Sequence, residues 1–299
     1  MVPQLRYVLV TPARNEEAFI ELTIRSMIAQ TVLPARWAIV SDGSTDRTDE
    51  IVKKYLPDHP WMELVRLEER KERHFGGKVR SFNAGYERVR GIPYDVVGNL
   101  DADITFEPDY LEFLLRKFCE DARLGVAGTP FVEGAVSYDY RYTNIEHVSG
   151  ACQLFRRECF EQIGGYVPIK GGGIDWLAVT TARMKGWKTR TFTERVCQHH
   201  RPMGTGSSTT LGACFKLGTQ DYYLGGHPLW QCFRAAFQLA RPPFLLGGIL
   251  LFAGFFWAWI RRAERPISPE VMKYHRTEQI RRLKAILTRP FRSKAKPNP

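Results

Sequence analysis

Apolar and polar positions follow two periods along the first two thirds of the chain. Short apolar runs at residues 7–12, 37–40, 64–67 and 96–100 read as buried strands. Between them apolar positions recur every three or four residues. Phe19, Ile20, Ile24, Met27 and Ile28 mark a first helix, opening near residues 13–17, and Ile51 and Tyr55 a second. A third is predicted over residues 78–90 and a fourth over 108–118, with Tyr110, Leu111, Leu114, Leu115 and Phe118 on its apolar side. Strands alternating with helices of this length predict a doubly wound, mainly parallel α/β sheet. Farther on, residues 125–131 suggest a strand and then an irregular, Tyr-rich segment. Residues 149–155 read as a strand, 156–163 as a short helix, 177–185 as a helix and 188–192 as a strand.

The final third changes character. Residues 229–240 are amphipathic, and Pro242-Pro243 breaks them. Residues 244–260 carry no charge, contain Trp257 and Trp259, and run into Arg261-Arg262. As a helix this stretch would reach about 26 Å, short of a ~30 Å hydrocarbon core. Ser268 and Pro269 supply an N-cap and N1 pair for a basic helix to about residue 287. Residues 290–299 are expected to be disordered. The expected division is an α/β domain over 1–225 in two halves, 1–105 and 106–225. Membrane-associating helices (226–262) and a basic tail (263–299) follow.

Charge sharpens this picture once it is localised. The net +11 looks like a nucleic-acid signal, but residues 261–299 hold twelve Lys/Arg and three Glu, a net +9, leaving only +2 on residues 1–260. A basic tail directly after the most apolar stretch suits an anionic membrane surface, not nucleic acid. The six cysteines form no CxxC pair, and no export signal opens the chain, so they are expected to be reduced thiols in the cytoplasm.

Ligands of open α/β sheets bind beyond the carboxyl ends of the strands. Three loops fall there: residues 11–16, 41–46 and 101–105. The last carries Asp101 and Asp103, two acids at i and i+2 that point roughly the same way. A divalent cation such as Mg²⁺ or Mn²⁺ would relieve their repulsion and keep a phosphate as co-ligand. No GxGxxG follows the first strand and no GxxxxGK[ST] occurs, so this is neither a Rossmann site nor a P-loop. Pro12, Ala13 and Arg14 of the first loop could instead offer backbone groups to a base with Asp42, and Glu16 could hold a ribose hydroxyl. Asp42 and Asp46 could also be simple helix caps.

Thr11-Pro-Ala-Arg-Asn-Glu-Glu17, Ser41-Asp-Gly-Ser-Thr-Asp46, Gly77-Lys-Val-Arg-Ser-Phe-Asn83 and Asp101-Ala-Asp103 together resemble the ordered motifs of the family 2 glycosyltransferases. The resemblance covers roughly residues 5–205 and implies a catalytic domain over 1–225 with a nucleotide-sugar half (1–105) and an acceptor half (106–225). It implies a GT-A fold, a nucleotide diphosphate sugar as donor, Mg²⁺ or Mn²⁺, and inversion at the anomeric carbon. By motif, Asp42 would bind the base, Asp103 the metal, Asp101 would lie near the ribose and the metal, and Lys78 and Asn83 would face the nucleotide or its phosphates.

In the acceptor half, three glycines precede Asp175 at a helix start, the place of the family's general base. The family often has Glu-Asp there, and Ile174 replaces the first acid. An N-cap is the alternative role. Next to a glycine-rich loop, His200 is favoured over His199 as a third metal ligand, with Arg201 as a phosphate partner. The resulting expectation is an inverting transferase at the cytoplasmic membrane face, monotopic or singly anchored. Its acceptor would be membrane-borne or a glycan, and membrane lipids would meet residues 229–262 and the tail. Two other readings stand beside it. Asp101-Ala-Asp103-Ile104-Thr105 also fits the DxDxT loop of haloacid-dehalogenase-like phosphatases, and the fold could serve a non-catalytic glycan- or lipid-binding protein.

Overall fold

The computed structural model describes residues 5–68, 76–133, 136–137, 144–169, 172–201 and 210–288. The chain divides into two compact units, residues 1–203 and 204–299. In the first, β1 (Tyr7–Ala13), α1 (Ile20–Ile28), β2 (Arg36–Asp42), α2 (Thr48–Tyr55), β3 (Met62–Leu67) and α3 (Gly76–Val89) alternate as the periodicity predicts. Next come β4 (Val96–Leu100), β5 (Ile104–Phe106), α4 (Tyr110–Glu120), β6 (Leu124–Gly128), β7 (Phe131–Glu133) and β8 (Val136–Ser137). The unit closes with β9 (Cys152–Arg156), α5 (Arg157–Gln162), α6 (Ile174–Met184), β10 (Lys188–Thr191) and β11 (Cys197–His199).

Seven strands form the main sheet in the order β10-β6-β9-β4-β1-β2-β3. It is mainly parallel. Only β9 runs antiparallel, to β4 on one side and β6 on the other. Strands covered on both faces need no polar alternation, which is why they read as unbroken apolar runs. Tyr7 and Leu9 face one apolar cluster with Ile24, Leu111 and Leu114, while Val8 and Val10 face the other with Phe82, Phe160 and Val179.

A second sheet, β5-β11-β7-β8, was not anticipated. Ile104 to Phe106, just ahead of the fourth helix, pair antiparallel with β11, and β11 pairs in parallel with β7. Strands of three residues are too short to show a period; only their distant partners define them. The first helix also begins later than expected, at Ile20, because residues 13–17 are tied into loop contacts described below.

The second unit contains α7 (Thr210–Tyr223), α8 (Pro228–Leu239), α9 (Leu246–Ile260) and α10 (Pro269–Thr288). Within this unit α7 packs along α9. Two glycines permit this approach. A Cβ on Gly218 or Gly254 would stand 2.1 Å from the carbonyl oxygen of Leu251 or Phe215, respectively. α8 and α9 fold back as a hairpin, with Gln231 Nε2 donating to the Leu251 carbonyl at 3.0 Å. No described helix is long and apolar enough to cross a membrane. The tail over 290–299, residues 134–135 and 138–143 of the Tyr-rich segment and the glycine-rich loop after Arg201 lie outside the described residues.

Candidate active site

Two loops at the carboxyl ends of β1 and β2 are stapled together by short polar side chains. Asn15 takes a left-handed conformation (φ +56°), and its Oδ1 accepts the Thr45 N–H at 2.9 Å. Ser44 Oγ accepts the Asn15 N–H at 3.2 Å, and Thr48 Oγ1 accepts that of Glu16 at 2.8 Å. Asp46 accepts the N–H groups of Glu17 and Thr48, each at 3.0 Å, so its role is structural. These bonds fix the walls of a pocket of about 260 Å³ at the sheet edge.

Pro12, Ala13, Arg14, Glu16, Asp42, Lys78, Asp101, Asp103 and Arg201, expected from sequence to serve one site, all line this pocket. Asn83 does not. It lies on the exposed side of α3, five residues and so roughly 140° around the helix from Lys78. Ser81, three residues on from Lys78, lines the pocket in its place.

Asp101 and Asp103 leave β4 with different partners. Lys78 Nζ donates to Asp101 Oδ1 at 2.5 Å, and Asn99 Nδ2 reaches the same oxygen at 3.2 Å. Burial acts to lower the Lys78 pKa, but Asp101, Asp175 and Asp103 outweigh it and raise it on balance. Asp103 is buried. Burial, then the charge of Asp101, raises its pKa, against the pull of His199 and Arg201. Glu16 is paired with Arg201, yet burial drives its pKa up to about 7, with Asp103 and Asp101 adding to the rise.

The third member of the acidic cluster is His199, not His200. One ligand atom from each of Asp101, Asp103 and His199 lies within 4.8 Å of the others. His199 Nε2 is 3.6 Å from Asp103 Oδ1, and its Nδ1 is 3.1 Å from Glu133 Oε1. His200 faces away. Its Nε2 meets Thr105 Oγ1 at 2.9 Å and its ring stacks on Phe19. The β11 register decides this, since neighbouring strand residues point to opposite faces and His199 shares its face with buried Cys197. Glu133, from β7, was not foreseen. Its signal was that same alternation, readable only once β7 and β11 are known to pair.

These donors suit a hard divalent cation. Two carboxylates and an imidazole converge, the carboxylates repel each other, and buried His199 Nδ1 has no hydrogen bond although Glu133 stands beside it. An acid behind a histidine ligand is the usual second partner that sets ring orientation and basicity.

Asp175 lies in the first turn of α6 but is not its N-cap. That position belongs to Gly173 at φ +94°. Asp175 Oδ2 instead accepts the Gly150 N–H at 3.2 Å, and the Gly150 carbonyl accepts from Asn99 Nδ2 at 2.6 Å. Asn99, another residue not foreseen, thus bonds both Asp101 and the backbone that holds Asp175.

Comparison with known proteins bears directly on this arrangement. The family model described as glycosyl transferase family 2 matches residues 8–164, just over half of the chain. The chain belongs to glycosyl transferase family 2. The match runs from β1 through α5 and takes in Asp42, Lys78, Asp101 and Asp103. Among curated relatives, the chondroitin synthase of Pasteurella multocida is 30% identical over 118 residues, 40% of this chain and 11% of that one. A poly-β-1,6-N-acetyl-D-glucosamine synthase of Staphylococcus aureus is 29% identical over 136 residues, 45% of this chain and 31% of that one. The chain thus aligns with less than a third of either relative's length. Among solved structures, the mannosyltransferase PcManGT from Pyrobaculum calidifontis, in complex with GDP-Man and Mn²⁺, superposes with TM-score 0.57 at 20% identity. That match covers 97% of this chain and 82% of the other. S. aureus TarS (residues 1–349) in complex with UDP-GlcNAc gives 0.55 at 13% identity, over 90% and 79%. These likenesses establish the GT-A fold.

Proposed function

We propose that this family 2 protein is a metal-dependent inverting glycosyltransferase. Its donor is a nucleotide diphosphate sugar and its acceptor a hydroxyl on a membrane-borne or polysaccharide chain. The observation that carries the reading is one pocket lined by Asp42, Lys78, Asp101, Asp103 and Arg201, with His199 beside the two acids Asp101 and Asp103, in a family 2 chain. Family relatives that build polysaccharides and a fold neighbour holding GDP-Man and Mn²⁺ favour the same donor class and metal.

Asp101, Asp103 and His199 would hold Mg²⁺ or Mn²⁺, whose charge offsets that of the diphosphate. Lys78 and Arg201 supply the remaining positive charge at the pocket wall, where it stabilises negative charge growing on the leaving group. Asp42 and the backbone of Pro12–Arg14 line the side suited to the base. Asp175, oriented by the Gly150 N–H, takes the proton of the acceptor hydroxyl. The acceptor oxygen bonds to the anomeric carbon as the carbon–phosphate-oxygen bond breaks, so a single displacement inverts the centre. Asp101 is held by Lys78 and Asn99 and follows the fourth strand, which favours this role over that of a phosphatase nucleophile on a first strand.

Membrane association belongs to the same proposal. Phe244 and Leu245 at the α8–α9 turn are 63% exposed and Ile260 is 80% exposed, with Trp257 and Trp259 near the end of α9. Aromatic and apolar side chains in this pattern suit a bilayer interface, and the short hairpin suits a monotopic attachment at the cytoplasmic face, where nucleotide sugars are found.

The test is a thermal-shift panel of nucleoside diphosphates with and without Mn²⁺. Stabilisation by at least one of them should require the metal, and Asp103→Ala should remove it without altering the basal transition. Nucleotide binding indifferent to Mn²⁺ in both proteins would sink the metal assignment.

A further inference from the structure

The second unit carries a basic groove whose lining shares no residue with the pocket described above. It runs along α10 beside His227, the N-cap of α8, with a volume of about 610 Å³. Four cations line it, Lys273, Arg276, Arg281 and Lys284, and Met272 and Ile280 add apolar wall. No carboxylate lines it. Lys273 and Arg276, and again Arg281 and Lys284, stand three residues apart, so they form two neighbouring cation pairs along the groove.

Like charges on one helix face repel and cost stability unless an anion joins them. Elsewhere surface cations sit with acids, as in Arg88–Glu63, Lys188–Asp121 and Arg195–Asp109. Among the described residues none of the four groove cations has such a partner. Arg276 is half-buried, and its Nε donates to the Gly225 carbonyl at 2.9 Å. Arg265 anchors on the Tyr222 carbonyl at 3.1 Å and adds to the positive field. Burial, then the charge of Arg265, lowers the Arg276 pKa. His227 Nδ1 accepts the Leu229 N–H at 3.1 Å, leaving Nε2 as its remaining polar group.

We infer that this groove binds the phosphate headgroup of an anionic phospholipid, with Met272 and Ile280 against the stem that joins headgroup to acyl chains. Charge complementarity selects the phosphate. The apolar wall, and the exposed Phe244, Leu245 and Ile260 of the same unit, favour a lipid over a soluble anion. The inference rests on the membrane reading above and adds to it a defined headgroup site.

The test uses the full chain and vesicles of phosphatidylcholine with or without phosphatidylglycerol, read by co-sedimentation at physiological salt. The variant Lys273→Ala/Arg281→Ala/Lys284→Ala spares Arg276 and its bond to Gly225. One cation near an anionic surface contributes roughly fivefold to partitioning, so this variant should lose on the order of a hundredfold of the phosphatidylglycerol-dependent binding. Lys284→Glu alone, at an exposed position, should move in the same direction. The charge-matched control Lys53→Ala/Lys54→Ala/Arg116→Ala, in the first unit, should partition as wild type. A control that loses as much as the groove variant would reduce the effect to net charge and overturn the site, as would wild-type protein that ignores phosphatidylglycerol. Displacement of wild type from the vesicles by millimolar pyrophosphate would reassign the groove to a soluble phosphate compound. Mn²⁺-dependent nucleotide stabilisation, measured on the same proteins, should be unchanged in all variants. Its absence from wild type would strike the transferase reading and leave the vesicle result standing.

Discussion

In residues 1–203 the largest apolar side chains, Trp37, Phe82, Phe118 and Phe155 among them, are fully buried, and polar residues gather at one sheet edge. In residues 204–299 the sorting is only partial, with Phe255 and Leu251 buried but much apolar surface left outside. Phe244, Leu245, Leu246, Ile249 and Ile260 face outward, while Gln231, Asp221 and Arg234 bond inside the helix cluster. A sheet with helices on both faces buries its apolar runs by itself. A few helices held by glycine contacts bury less of theirs, and apolar surface stays exposed. Chemistry in the first unit therefore depends on individual side chains, whereas the proposed attachment by the second would depend on summed area and charge.

Four changes would break or sharpen this contrast. The largest effect is expected from Asp175→Asn, which removes a proton acceptor while keeping volume. Turnover should fall about 10²–10⁴-fold with donor binding retained, measured by single-turnover transfer and nucleotide titration. Near-normal turnover would leave Asp175 only its bond to Gly150.

Next comes pH. Glu16 is raised from its ordinary 4.5 to about 7, so the folded chain holds an extra proton between those values. The associated stability is complete below 4.5 and is lost as pH rises through about 7, by up to about 3 kcal/mol. Denaturation with a chelator present should show this decline in wild type, and Glu16→Gln should flatten it.

Gly254→Ala tests the second unit alone. The new methyl would meet the Phe215 carbonyl, and overpacking of this kind costs about 1–3 kcal/mol. Hydrogen exchange should speed up in α7 and α9 while β4 and α3 keep their protection. Faster exchange in β4 would show that the units do not respond separately. The smallest effect is expected from Glu133→Gln, which weakens the group behind His199. Mn²⁺ affinity should drop roughly 10–100-fold with nucleotide selectivity unchanged. Unaltered affinity would remove Glu133 from the site.

The amino-acid order by itself determined the alternating strands and helices of the main sheet, because parallel strands covered on both faces announce themselves as apolar runs of a few residues. It also determined the motif loops, since Asp42, Lys78, Asp101 and Asp103 sit directly at strand ends or helix starts and local geometry carries them to one edge. Other features depended on contacts between distant segments. His199 replaced His200 because the pairing of β11 with β5 and β7 decided which neighbour faced the acids, and no local pattern contains that register. Glu133 entered by the same pairing. Asn99 became the bridge between Asp101 and the Asp175 loop because β9 and its preceding turn return beside β4 across some fifty residues. α7 lies along α9 because Gly218 and Gly254 allow backbone contact between them, a preference that appears only when both helices are in hand. Local sequence fixes the direction of a side chain within its own element, and only tertiary pairing sets what that side chain meets.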